Sequence, residues 1–180
     1  MKILDVGCGP GIYVDELNKH KKLSATGVDI DPHLPKKDTL HRIDIFSSDF
    51  SEYTGYDVSL CFEVGEHLPK DKAEEFVRRV CQTAPVIYFS AAQPQQDGYG
   101  HINLQPLEYW IALFNRCNYI LDETETHKFK KFLSEGYHMG WMRNNTLVFK
   151  NYGSMYFEQI REEELPAATR VAEYFAKVRV

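Results

Sequence analysis

Three glycines at alternate positions, Gly7, Gly9 and Gly11, follow an apolar run ending at Val6 and lead into an amphipathic stretch. Glycine accepts positive φ and lets backbone approach a ligand without a Cβ in the way. A strand, a G-x-G-x-G turn and a helix in succession therefore predict a nucleotide-type cofactor site. The nicotinamide dinucleotide fingerprint, G-x-G-x-x-G, needs its third glycine at position 12, where this chain has Ile12. Asp29 ends a second β-rich run, and a carboxylate at such a strand end accepts hydrogen bonds from both hydroxyls of a ribose. Its neighbour Asp31 makes a turn-forming role the competing reading. His101 lies in a polar stretch with Asn103 and Gln105 nearby. It is the best-placed general base for an acceptor hydroxyl, against a reading as a loop-stabilising histidine. Glu66 and His67, at a predicted helix start, are further catalytic candidates that compete with capping or packing roles.

These side chains need a frame. Strand patterns fall at residues 2–6, 24–30, 40–46, 56–62 and 86–91, with helical spacing at 12–20 and 70–84. Strands alternating with helices imply a parallel sheet with helices on both faces, a doubly wound α/β fold. Residues 93–103, after the fifth strand, occupy the place where such folds form a ligand crevice. A helix is expected at 106–116, then two late strands at 119–126 and 141–150, joined by connections short enough for antiparallel pairing. Ala167, Val171, Tyr174, Phe175 and Val178 recur at helical intervals after Pro166 and predict a C-terminal amphipathic helix. Residues 1–150 are read as the cofactor domain and 151–180 as its helical extension.

Composition narrows the class. The chain has 180 residues, 43% hydrophobic and 26% charged, which suits one globular domain. No apolar run approaches the length of a membrane span, and residues 1–6 lack the pattern of a secretory signal, so a cytoplasmic location is expected. A net charge of −5 supplies no field to attract phosphate backbones, which disfavours nucleic acid as a partner. Cys8, Cys61, Cys81 and Cys117 form no C-x-x-C pair, so neither a disulfide framework nor structural zinc is indicated, and no metal is expected. Lys128, Lys130 and Lys131 form a small basic cluster, read first as a solvated face. Tyr99, Tyr109 and Trp110 are candidates for an aromatic wall, with core packing as the competing reading.

The stretches DVGCGPG at 5–11, GVDID at 27–31, YDVSLCFEVGEHLP at 56–69, FSAAQP at 89–94 and GHINLQPLEYW at 100–110 resemble the class I S-adenosyl-L-methionine-dependent methyltransferases. They are most similar to a small branch with an E-V-x-E-H-L segment. The likeness spans about residues 1–150 and implies a mostly parallel seven-stranded sheet with its last strand antiparallel. It also implies S-adenosyl-L-methionine as cofactor and S-adenosyl-L-homocysteine as product. Carried over by position, it assigns Asp5, Gly7, Cys8, Gly9 and Gly11 to the methionine side and Asp29 to the ribose. Ile30 is assigned to the adenine face, Asp44 to the adenine amino group with Asp49 as rival, Ile45 to a backbone donor, and Glu63 to the sulfonium end.

The expected reaction is methyl transfer to an oxygen or nitrogen of a small-molecule acceptor. Competing readings are a methyltransferase of protein or nucleic acid, a cofactor-binding partner without turnover and, more distantly, a nicotinamide-dependent oxidoreductase. Members of the family carry a helix or two ahead of the first strand, whereas here that strand begins next to Met1. The helix at 166–180, a partner subunit or a second copy in a homodimer is expected to cover the cofactor instead.

Overall fold

The computed structural model describes residues 1–135 and 140–153. Its strands are β1 (Lys2–Val6), β2 (Ser24–Asp29), β3 (Leu40–Arg42), β4 (Val58–Phe62), β5 (Val86–Ser90), β6 (Tyr119–Leu121) and β7 (Leu147–Asn151). Its helices are α1 (Ile12–Leu17), α2 (Ala73–Val80), α3 (Leu107–Arg116), α4 (Glu123–Glu135) and α5 (Gly140–Asn145). The strands make one seven-stranded sheet in the order β3-β2-β1-β4-β5-β7-β6. Pairs β1-β2, β1-β4, β2-β3 and β4-β5 are parallel, and β7 runs antiparallel to both β5 and β6. The doubly wound fold expected from the sequence is the one observed.

Side-chain alternation builds the two cores. Successive strand residues point to opposite faces. Ile3, Leu60 and Tyr88 accordingly pack with Val14 of α1, Phe129 of α4 and Met142 of α5. Leu4, Cys61 and Phe89 pack on the other face with Phe76 and Val77 of α2 and Trp110 and Phe114 of α3. Every residue of β4 and β5 is buried, which is why VSLCF and VIYFS read as nearly continuous apolar runs. In α2 the buried set Ala73, Phe76, Val77 and Val80 follows the i, i+3, i+4, i+7 rule, each large side chain contributing roughly 1.5–3 kcal/mol.

Strand order reverses between β1 and β4, and a crevice opens at the carboxyl ends of strands flanking such a reversal. The glycine turn leaves β1 there, and Glu63 leaves β4 beside it.

The later part of the chain departs from expectation. Residues 119–126 do not form one strand. β6 stops at Leu121, and Asp122 Oδ1 accepts the Glu125 backbone N–H at 2.8 Å, opening α4. The sequence D-x-x-E is a capping pattern that overrides the β-preference of Thr124 and Thr126. Residues 141–150 likewise divide into α5 and β7. The division falls at Thr146, whose hydroxyl donates to the Met142 carbonyl at 2.7 Å. The link between β6 and β7 therefore contains two helices, although the pairing is antiparallel as expected. Lys128, Lys130 and Lys131 consequently lie on α4 rather than on a strand or loop. Strand β7 also crosses the 150/151 boundary. The helix expected at 166–180 lies outside the described residues. Among those described, no helix is long and apolar enough to cross a membrane.

Candidate active site

The glycine turn is tied to the sheet by its own backbone. Gly7 and Cys8 donate their N–H groups to the Val28 carbonyl at 2.8 and 3.1 Å. Gly7 has φ 76°, and a Cβ there would lie 2.3 Å from Val64 Cγ2, so the turn packs directly on the segment that follows β4. Gly9, at φ 50°, has nothing within 4 Å of a built Cβ. Its bare side faces open space where a ligand can approach the backbone. Cys8 contributes backbone only. Its side chain is buried beneath Gly27, and burial, with the charges of Asp5 and Asp29, pushes the thiol up to about 12.

Asp29 stands at the mouth of this turn. Its Oδ2 accepts the Gly9 N–H at 2.7 Å and its Oδ1 the Asp31 N–H at 2.9 Å, which fixes the carboxylate plane. Each oxygen retains a lone pair for a ribose hydroxyl. Ile30 follows with 61% exposure, an aliphatic surface suited to an adenine face. Ile43 donates to the Asp29 carbonyl at 2.8 Å, which brings the segment after β3, with Asp44, alongside Asp29. Asp44 is braced by the Phe46 N–H, and the Ile45 carbonyl is held by Arg79 Nη1 at 2.9 Å. Asp49 belongs instead to a 3₁₀ turn, Ser48–Glu52.

Asp5 lies beneath. It is 2% exposed, and its Oδ2 is buried without a hydrogen-bond partner among the described residues. Burial, reinforced by the Asp29 charge, raises its carboxyl to about 7. An unpartnered buried carboxyl calls for a cationic donor. S-adenosyl-L-methionine carries an ammonium at its methionine end, so the residues present fit that cofactor.

The second half of the site begins where β4 ends. Glu63 adopts φ 54° and donates its N–H to the Ser90 carbonyl and hydroxyl at 2.9 and 3.2 Å. Glu66 and His67 lie in a separate 3₁₀ turn, Gly65–His67, and not at the start of α2. Glu66 is fully buried, with Oε1 accepting the Ala92 N–H at 3.1 Å. Its Oε2 has no partner among the described residues. Burial first, and the Glu63 charge second, push this carboxyl up to about 8.

The loop bearing His101 is fastened to this turn. Ile102 and Asn103 donate to the Glu66 carbonyl at 2.9 and 3.0 Å. His67 Nδ1 lies 3.1 Å from the Gly100 carbonyl, and His101 Nδ1 lies 2.8 Å from the Gln96 carbonyl. A carbonyl only accepts, so each Nδ1 carries hydrogen and each neutral imidazole keeps its lone pair on Nε2. The two rings meet edge to face at 5.0 Å. Ligand atoms of Glu66, His67 and His101 lie within 4.8 Å of one another. Histidines anchored through Nδ1–H to carbonyls, with a buried carboxyl in the same cluster, form an arrangement that could present ligands to a divalent cation. The same lone pairs can accept a proton from an acceptor hydroxyl.

Sequence reasoning therefore selected the three residues of this cluster one by one and did not foresee that the structure brings them together. The available signal was the adjacent Glu66-His67 pair followed by a second histidine in a glycine-bounded loop. The aromatic wall does not form from the residues expected. Trp110 is fully buried against Phe89, and Tyr99 projects wholly into solvent. Of the α4 lysines, Lys128 and Lys131 are exposed, with Lys128 paired to Glu125 at 2.7 Å, whereas Lys130 is half-buried and donates to the Asn144 carbonyl at 3.3 Å, and Phe129 supplies the buried side.

Residues 1–125 match a family described as a methyltransferase domain. Over 163 residues the chain is 30% identical to a ubiquinone biosynthesis O-methyltransferase of Pseudomonas savastanoi pv. phaseolicola, covering 83% of this chain and 66% of that protein. The chain thus spans just under two thirds of that relative's length. A Burkholderia thailandensis 1,6-didemethyltoxoflavin-N1-methyltransferase, solved with its substrate and S-adenosylhomocysteine, superposes with TM-score 0.56 at 12% identity, covering 83% of this chain and 70% of that one. The methyltransferase domain of bacterial CtHen1-C gives TM-score 0.58 at 18% identity, with 83% and 88% covered. At these identities the structural likeness concerns the fold.

Proposed function

The chain belongs to the methyltransferase-domain family that residues 1–125 match, and from that premise we propose that it transfers the methyl group of S-adenosyl-L-methionine to a hydroxyl oxygen of a small-molecule acceptor. Within the family we assign it to the branch with the segment Glu63-Val64-Gly65-Glu66-His67-Leu68. The observation that carries the reading is a pair of buried carboxyl oxygens without partners among the described residues, one on β1 ahead of the glycine turn and one in the 3₁₀ turn after β4. Asp5 Oδ2 lies under the glycine turn, and Glu66 Oε2 lies beside the two histidines. Val64, in contact with Gly7, joins the two segments.

In this reading Asp29 holds the ribose, Ile30 and Asp44 the adenine, and Asp5 the ammonium, so the methyl carbon is directed toward Glu63. Methyl transfer is an in-line displacement, and much of the rate comes from holding donor and acceptor aligned. The C–S bond breaks as the O–C bond forms, and the sulfonium becomes the neutral thioether of S-adenosyl-L-homocysteine. His101 Nε2 receives the hydroxyl proton, its ring oriented by the Nδ1–H bond to Gln96. A divalent cation held by Glu66, His67 and His101 would take up that Nε2 lone pair in place of the proton, and would instead lower the pKa of an acceptor hydroxyl so that its proton passes to water. The oxygen acceptor follows the relatives named as ubiquinone biosynthesis O-methyltransferases, and the chain's charge of −5 favours a small acceptor over nucleic acid. The proposal retains a cytoplasmic location and a cofactor domain at 1–150 with an extension at 151–180.

Thermal shift with S-adenosyl-L-methionine, S-adenosyl-L-homocysteine and NAD tests the cofactor. A ligand at about 100 times its Kd adds about 2.7 kcal/mol, roughly 5–10 °C for a chain of this size. Both sulfur compounds should stabilise the protein, and Asp29→Ala should remove most of the shift. Stabilisation by NAD alone, or an undiminished shift in the variant, would overturn the assignment.

A further inference from the structure

We propose that Asn145 of α5 and Gln93 of the loop after β5 form a positioning pair that holds the Glu63 carboxylate beside Glu66. Asn145 is completely buried, where an apolar residue would be the default. Burying an amide is tolerated only when its polar atoms are used, and both are. Gln93 Nε2 donates to Asn145 Oδ1 at 2.9 Å. That bond turns the Asn145 amide so that Nδ2 faces Glu63 Oε1 at 3.4 Å.

The receiving residue is held at a cost of its own. Glu63 sits at φ 54°, which a residue with a Cβ adopts at an expense of about 1 kcal/mol or more. Two bonds from its N–H to Ser90 keep it there. A buried amide and a left-handed backbone thus converge on one carboxylate, whose charge raises the neighbouring Glu66 carboxyl after burial does.

The pair reaches the far side of the cluster as well. The Gln93 backbone N–H donates to Gln96 Oε1 at 2.6 Å, and the Gln96 carbonyl anchors His101 Nδ1 at 2.8 Å. One continuous network runs from Glu63 through Asn145, Gln93 and Gln96 to His101. It binds α5, an element remote in sequence, to the placement of groups on opposite sides of the cluster. Partners one bond removed from metal ligands typically change metal affinity or activity about 10–100-fold when removed, and Asn145 acts from further out, through Glu63 on one side and Gln93 and Gln96 on the other, so about tenfold is expected. Asn145 is accordingly a positioning residue whose loss loosens Glu63 and weakens cation binding while leaving the cofactor end intact.

The inference rests on the reading that Glu66, His67 and His101 hold a divalent cation, and the test separates the two. Mn2+ binding to the full chain, without acceptor, is followed by loss of the free-ion electron paramagnetic resonance signal, and S-adenosyl-L-homocysteine binding by calorimetry. The parent chain should bind Mn2+, and Glu66→Gln should lose it. Asn145→Leu, which keeps the side chain's shape, should bind Mn2+ about tenfold more weakly with S-adenosyl-L-homocysteine affinity within about twofold of the parent. Unchanged Mn2+ affinity in Asn145→Leu, alongside its loss in Glu66→Gln, would overturn the positioning role and leave the cation reading standing. Absence of Mn2+ binding by the parent would overturn the cation reading and the inference with it. Should Asn145→Leu fail to bind S-adenosyl-L-homocysteine, Gln93→Met on the loop decides. Weakened Mn2+ binding in that variant supports the positioning role, and parental affinity refutes it.

Discussion

Replacing Asp5 with asparagine should make the cofactor-free protein more stable at pH 8 and unable to bind its cofactor well. The carboxyl is raised from 3.8 to about 7 by burial and by the Asp29 charge. Between those values the folded chain holds a proton that the unfolded chain has released, so stability falls as pH rises from about 4 to about 7 and levels off above. At about 1.4 kcal/mol per tenfold change in proton affinity, the full cost of the ionised group is at most about 4 kcal/mol. The asparagine side chain would be neutral at every pH and escape that penalty. With each kcal/mol worth about 2–4 °C in a chain of this length, Asp5→Asn should raise the Tm at pH 8 by up to roughly 8–16 °C. At pH 4 the two proteins should nearly coincide. An ammonium placed at Asp5 Oδ2 would draw the carboxyl's pKa down, so cofactor binding to the parent at pH 6.5 should release protons, and binding to the variant should be weaker and proton-neutral. Differential scanning fluorimetry across pH, with calorimetry in buffers of different ionisation enthalpy, measures both effects. A variant no more stable than the parent at pH 8, or one that keeps parental cofactor affinity, would refute the reasoning.

Two further substitutions separate folding from binding. Gly9 has open space around a built Cβ and φ 50°, so Gly9→Ala should lower stability by only about 1 kcal/mol, while calorimetry shows cofactor affinity reduced at least tenfold. Parental affinity would mean that the ligand does not approach this backbone. Phe129 is 3% exposed and stacks on Phe62 and against Tyr88 at centroid distances of 6.1 and 4.9 Å. Phe129→Ala should therefore cost about 3–5 kcal/mol in urea unfolding, and a loss under about 1 kcal/mol would show that α4 contributes little to the core.

The first part of the fold was legible because local chemistry and global position coincide there. The run 2–6, the glycines and Asp29 each carry a conformational requirement that a single sequence displays. Adjacent strands of a parallel sheet also follow one another with predictable crossovers. Residues 119–150 were harder, since Thr124 and Thr126 favour strand, and the helix depends on the Asp122 cap at its start. The acceptor end was legible by residue type and not by grouping. Glu66 and His101 are joined by bonds from Ile102 and Asn103 to the Glu66 carbonyl, contacts that no local periodicity reveals. Asn145 was invisible for the same reason, because its importance lies in Gln93 and Glu63, both far from it along the chain.

The central claim is that one crevice holds a methyl donor at the glycine turn and delivers the methyl group to an oxygen at the Glu66, His67 and His101 cluster. The direct measurement is transfer of label from methyl-labelled S-adenosyl-L-methionine to a panel of small hydroxyl compounds, including mono- and vicinal dihydroxy arenes, with Glu66→Gln alongside. The account predicts labelled methyl ether from the parent, accompanied by S-adenosyl-L-homocysteine, and little product from a variant that still binds the cofactor. Cofactor binding with no labelled product on any acceptor, or an undiminished rate in Glu66→Gln, would contradict it.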